Sequence, residues 1–97
     1  MSLENMDVLS RMNERFSSMS KGQKALVKYI ADNTDEAAFM TAARLGSAAG
    51  VSESTVVRFA YFLEYSGYPE FQEALAKIVR NKLGSISKMG AKYAHAS

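Results

Sequence analysis

The stretch AARLGSAAGVSESTVVRFAYFL, residues 42–63, holds two apolar helical patterns separated by a glycine and a hydroxyl. In its first half, Gly46, Ala48 and Ala49 are small enough for another helix to approach closely at a steep angle. Gly50 supplies the positive φ that a tight turn between helices requires. Val51 then plugs the corner and Ser52 caps a second helix. In that helix Val56, Phe59, Ala60 and Leu63 recur at spacings of three and four, so they share one buried face. A short helix at about Ala42–Ala49, a glycine turn and a helix at about Glu53–Glu64 make the layout of a helix-turn-helix.

The flanks extend the helical reading in both directions. Ser20-Lys-Gly-Gln23 fits a capping box and opens a helix whose stripe is Ala25, Leu26, Tyr29 and Ile30, ending near Asn33. Asp35-Glu36 starts a short turn, acids being favoured at a helix N-terminus, and Phe39 and Met40 are expected to tuck it into the core. Thr41 caps the next helix. Ser66-Gly67 marks a turn, Pro69 opens a helix, and Phe71, Leu75, Ile78 and Val79 carry it to about Leu83. At the N-terminus, Leu9, Met12, Phe16 and Met19 lie on one face of an amphipathic segment at about Glu4–Ser18, opposite Asp7, Arg11, Glu14 and Arg15. That apolar face serves either as core contact or as a seam with a second copy. Met1 to Leu3 is set aside as an expression remnant. From Gly84 onward the apolar pattern thins out. The predicted class is therefore all-α, a compact bundle of about five helices and one short turn, with residues 4–83 as the domain and 84–97 as a tail or linker stub.

Composition removes several function classes. The 97 residues suffice for one core, and the absence of cysteine rules out disulfides and thiolate metal sites. No apolar run approaches the roughly 18 residues of a membrane span, and no signal peptide opens the chain; the cytoplasm is the default compartment and no membrane partner is expected. His95 is the sole histidine, so a histidine metal site or catalytic dyad lacks its second member. Asp35 and Glu36 are helix-start residues rather than a general acid and base. No enzyme activity and no cofactor are expected. The net charge of +2, twelve basic residues against ten acidic, is only mildly basic and does not by itself assign a nucleic-acid partner.

The chemistry that the pattern does offer lies at the start of the second helix of the motif. A helix N-terminus attracts anions, so capping hydroxyls and free amides there suit phosphates. Glu53, Ser54, Val57, Arg58 and Tyr61 fall opposite the buried stripe. Arg58 is long enough to reach a guanine edge or a phosphate, and Glu53 can accept from a cytosine amino group or simply favour the helix N-terminus. Arg44, on the bracing helix, can reach a phosphate or pair with Glu36 or Asp35. Lys21, Lys24 and Lys28 form a stripe on the helix after Ser20, a solvated face with minor phosphate-contact potential. The aromatics Phe59, Phe62, Tyr65, Tyr68 and Phe71 sit among Glu64, Glu70 and Glu73, which suits packing better than base stacking.

The strings AGVSESTVVRF, SGYPEF and SKGQKALVKYIADN together resemble the N-terminal domain of RpiR-type bacterial transcriptional regulators over about Met6–Leu83. The resemblance implies sequence-specific binding of double-stranded operator DNA as a homodimer, with Ser52, Glu53, Ser54, Thr55 and Arg58 as contact residues. It further implies a phosphosugar effector acting through a C-terminal domain absent from this chain, and control of sugar or phosphosugar metabolism genes. Two departures stand out: Tyr61 and Phe62 replace the family's frequent basic residues, and Glu64 replaces its common glycine. These substitutions, with the low charge, leave a second expectation, a helical dimerisation or partner-docking module that does not bind DNA, with the methionine-rich first helix (Met6, Met12, Met19) as an adaptable surface.

Overall fold

Six α-helices follow one another in the computed structural model, which describes the backbone of residues 3–96 and the side chains of residues 3–82. They are α1 (Val8–Arg15), α2 (Lys21–Asp32), α3 (Thr34–Ala37), α4 (Ala42–Ala49), α5 (Glu53–Phe62) and α6 (Tyr68–Ala96), with one turn of 3-10 helix at Phe16–Ser18. No strand occurs among the described residues. The caps are those that the sequence chemistry dictates. Ser20 accepts from the Gln23 amide while Gln23 accepts from the Ser20 amide; Thr41 accepts from the Arg44 amide and Ser52 from the Thr55 amide. Each such cap contributes about 1 kcal/mol.

The core is continuous through all the helices. Leu26, Ile30, Leu45, Val56, Phe59 and Leu63 are fully buried where α2, α4 and α5 meet. Phe71, Leu75 and Val79 bring α6 against them, and Phe71 meets Phe59 edge-on with ring centroids 5.6 Å apart. Tyr65 and Tyr68 also ring Phe71, at 6.0 and 5.8 Å. The Tyr68 hydroxyl and the Gln72 amide both donate to the Met40 carbonyl, so α6 grips the chain just before the Thr41 cap. Burial pushes the Tyr68 hydroxyl up to about 12.

Four expectations are corrected. Leu3 is not a remnant outside the fold: its side chain is buried and its amide donates to Glu64 Oε1 at 3.1 Å. The inward face of α1 is Val8, Arg11 and Met12, which rotates Leu9 off that face, and Phe16 leaves it where the helix gives way to a 3-10 turn and loses the α period; both are partly exposed. Phe39 is 69% exposed rather than tucked in; α3 stops after one turn, and the core positions fall to Ala37 and Ala38. Finally, α6 does not stop at Leu83. Gly84 and Gly90 each cost about 1 kcal/mol in a helix interior, but no proline follows Pro69 and the flanking residues are mostly helix formers, so the helix continues to Ala96. Met1, Ser2 and Ser97 lie outside the described residues.

Candidate nucleic-acid interface

The turn between α4 and α5 is held by backbone geometry. Gly50 ends α4 at φ 79°, ψ 30°, and the Val51 amide donates to the Gly46 carbonyl at 2.8 Å. This doubles the chain back so tightly that a Cβ on Gly46 would lie 2.8 Å from the Val51 carbonyl oxygen. Gly46 is therefore the small residue that the close approach requires, whereas Ala48 is exposed and takes no part in it. On the α2 side, a Cβ on Gly22 would touch the Val51 and Thr55 methyl groups at 3.4 and 3.6 Å, so α2 passes close by the start of α5.

From that turn α5 presents its first two turns outward. Ser52, Glu53, Ser54 and Arg58 are exposed and Val57 is half-buried; together they line an open hollow of about 600 Å³. Directly behind them Val56, Phe59 and Ala60 are fully buried, which fixes the rotation of the helix. The Ser52 hydroxyl lies 2.9 Å from that of Thr55 and 3.2 Å from that of Ser54. Thr55 itself is half-buried with its methyl toward α2, outside the hollow.

The remaining site candidates stand apart. Tyr61 is 56% exposed, but its hydroxyl lies 3.9 Å from where a Cβ on Gly67 would be, beside the turn into α6. Arg44 is exposed and lines a separate groove with Tyr29, Glu36, Met40, Ser47 and Ala48. The ion pairs Arg15–Glu64 and Arg80–Glu73 involve neither Arg44 nor Arg58. Of the lysine stripe, Lys24 sits 5.3 Å above the Phe16 ring, while Lys21 and Lys28 are exposed. Among the described residues no cluster of His, Asp and Glu is arranged to hold a metal ion, and no helix is long and apolar enough to cross a membrane.

Sequence reasoning missed what holds the far end of α5. Arg11, 8% exposed, donates to the carbonyls of Leu63 (2.8 Å) and Glu64 (3.4 Å), and on its other side to those of Met6 (3.0 Å) and Glu4 (3.2 Å). Arg15 donates to the Phe62 carbonyl at 2.8 Å and pairs with Glu64 at 2.6 Å. The guanidinium of Arg11 also lies 4.2 Å from the centre of the Tyr65 ring, a cation–π distance. Burial raises the Tyr65 hydroxyl above its ordinary value, opposed by the Arg11 charge and reinforced by Asp7 and Glu70. The Glu64 carboxylate, which stands where the resemblance leads one to expect glycine, pairs with Arg15 and accepts from the Leu3 amide.

Comparison with known proteins agrees with the helix-turn-helix fold. The family model described as "Helix-turn-helix domain, rpiR family" matches residues 6–82. The chain is 33% identical over 82 residues to the uncharacterized HTH-type transcriptional regulator YfhH of Escherichia coli, covering 84% of this chain and 29% of that protein. It is 34% identical over 71 residues to the HTH-type transcriptional regulator HexR of Pseudomonas aeruginosa, covering 73% of this chain and 25% of HexR. The structure of the Vibrio vulnificus NanR protein complexed with ManNAc-6P superposes with a TM-score of 0.72 at 29% identity, over 86% of this chain and 32% of NanR. The chain thus spans less than a third of the length of each of these proteins.

Proposed function

The chain belongs to the rpiR family of helix-turn-helix domains, and from that premise we propose that it reads double-stranded operator DNA with the first two turns of α5 in the major groove. The observation that carries the reading is the hollow of Ser52, Glu53, Ser54, Val57 and Arg58, an exposed polar edge on a helix whose opposite face is locked into the core. In this reading the hydroxyls of Ser52 and Ser54 meet phosphates, Glu53 meets a cytosine amino group, and Arg58 meets a guanine edge. Thr55 orders the Ser52 hydroxyl rather than touching DNA, and Arg44 and Tyr61 serve as flanking backbone contacts at most. Two copies would set their α5 helices about 34 Å apart on a near-palindromic site. The regulators among its relatives support a role in transcription. The ManNAc-6P in NanR supports a phosphosugar effector bound by a further domain, with the C-terminal part of α6 as the connector, and control of sugar genes.

Anisotropy titration against a random-sequence duplex pool at two salt concentrations tests the reading. A DNA binder loses affinity with a slope of about −0.9 per phosphate neutralised, and Arg58→Ala is expected to weaken binding about 10- to 100-fold at preferred sites, the range for one bidentate base contact. A folded sample that binds no duplex at low salt would instead support the docking module, for which exposed Phe39 and Tyr61 are the motive.

A further inference from the structure

We infer that Arg11 and Arg15 of α1 are positioning residues for DNA reading: they clamp the C-terminal end of α5 and thereby set the pose of its N-terminal turns. The inference rests on the reading of α5 as the DNA-reading helix. Its basis is an accounting of carbonyls. The last carbonyls of a helix have no partner within the helix. In α5 the Phe59, Ala60 and Tyr61 carbonyls are taken by the amides of Leu63, Tyr65 and Glu64. The next three, Phe62, Leu63 and Glu64, all receive guanidinium donors from α1. The positive charges stand at the negative end of the helix dipole, where they are favourable.

Arg11 is itself fixed from behind. Its Nε and Nη2 donate to the Met6 and Glu4 carbonyls, so the same planar group ties the segment before α1 to the end of α5. Arg15 is held between Glu64 and the Phe62 ring, 5.5 Å from the ring centre. Both lie at the end of α5 away from Ser52. With 10 residues, α5 is about 15 Å long, so neither guanidinium shares the hollow with Arg58. Their effect on DNA must pass through the helix. Base readout needs hydrogen-bond geometry held to a fraction of an ångström, and a helix anchored at its far end has less freedom to lose on binding.

The test compares Arg15→Ala and Arg15→Lys with the unmodified chain in duplex titrations across salt, beside hydrogen exchange of amides 60–65. Arg15→Ala is expected to raise the dissociation constant about three- to tenfold, the scale of ordering one or two groups. The salt slope should stay unchanged, and exchange at residues 60–65 should quicken. Lysine retains the charge but cannot bridge Glu64 and the Phe62 carbonyl as a planar fork does, so it should fall between. If the alanine variant does not fold, the lysine variant carries the same comparison. A folded variant with unchanged affinity, whatever its unfolding midpoint, overturns the inference, because a role in stability alone predicts that result. A salt slope made shallower by about 0.9 also overturns it, since Arg15 would then be a direct phosphate contact. An unmodified chain that binds no duplex at low salt removes the reading of α5 and the inference with it.

Discussion

α4 and α5 end in the same hydrogen-bonded turn, built from different residues. In α4, the Val51 amide reaches back to Gly46 and the Gly50 amide to Ser47; in α5, the Tyr65 amide reaches Ala60 and the Glu64 amide Tyr61. This is the Schellman pattern, which places one residue in the left-handed region. That residue is Gly50 at φ 79° in α4 and Glu64 at φ 66° in α5. A side chain at positive φ costs about 1–2 kcal/mol, and Glu64 offsets it with contacts from Arg15 and Leu3. The end of α4 is therefore specified locally, by glycines within the turn. The end of α5 depends on a segment some fifty residues earlier in the chain.

The comparison breaks most readily at Gly46. Its counterpart in α5 is Ala60, which accommodates a methyl group while fully buried. At Gly46 the same methyl group would meet the Val51 carbonyl oxygen at 2.8 Å and the Ser52 backbone at 3.2 Å. Backbone cannot swing aside as a side-chain tip can, so Gly46→Ala is expected to destabilise the fold by about 2–3 kcal/mol, at the upper part of the usual overpacking range. Urea unfolding of the two proteins checks this. A loss below half a kcal/mol would show that the turn is not as tight as the structure has it.

Gly50 isolates backbone conformation from packing. Nothing lies within 4 Å of a Cβ placed there, so Gly50→Ala should cost the left-handed preference, about 1–2 kcal/mol, less the roughly 0.4–1 kcal/mol that a more restricted unfolded chain returns. Asparagine tolerates that region better than alanine, so Gly50→Asn should cost less. Thermal melts should show the order Gly, Asn, Ala, with about 4–8 °C per kcal/mol in a domain of this size. Equal loss in both variants would mean that the turn is held by something other than φ.

What the sequence disclosed follows the same division between local and distant causes. The caps at Ser20, Thr41 and Ser52 and the turn at Gly50 are each complete within four or so residues, so the residue types announce them. The hollow at Ser52–Arg58 was legible for the same reason: the turn fixes where α5 starts, and its apolar period fixes which side faces out. Arg11 and Arg15 were read as solvent-facing, because periodicity counts an arginine as polar whatever it meets. Their partners are carbonyls at residues 62–64, and no window along the chain contains both. Leu3 was missed because a buried N-terminal side chain needs a pocket made elsewhere. Tyr61 shares the outward side of α5 by angle, yet stands a further turn along it, where its hydroxyl approaches Gly67 rather than the hollow.

Glu64 gives the smallest effect and the sharpest sign. Within a helix, alanine exceeds glycine by about 1 kcal/mol; at a left-handed position the order should reverse. Glu64→Ala loses the partly exposed pair with Arg15, worth up to about 1 kcal/mol, and keeps the unfavourable φ. Glu64→Gly loses the same pair but relieves φ by about 1–2 kcal/mol, against an unfolded-chain entropy cost of about 0.5–1 kcal/mol. Both variants also lose the acceptor of the Leu3 amide, so the glycine variant should lie at or somewhat below the unmodified protein, with the alanine variant below the glycine variant by up to about 1 kcal/mol. Urea midpoints resolve a difference of that size when the slopes agree. If alanine proved the more stable, the left-handed assignment at residue 64 would be wrong, and the two helix ends would not share a turn. If the order holds, the glycine common at this position in the family and the glutamate here are alternative solutions to one backbone requirement, and the glutamate adds a side-chain tie to Arg15 beside the carbonyl bonds that α1 already makes to the end of α5.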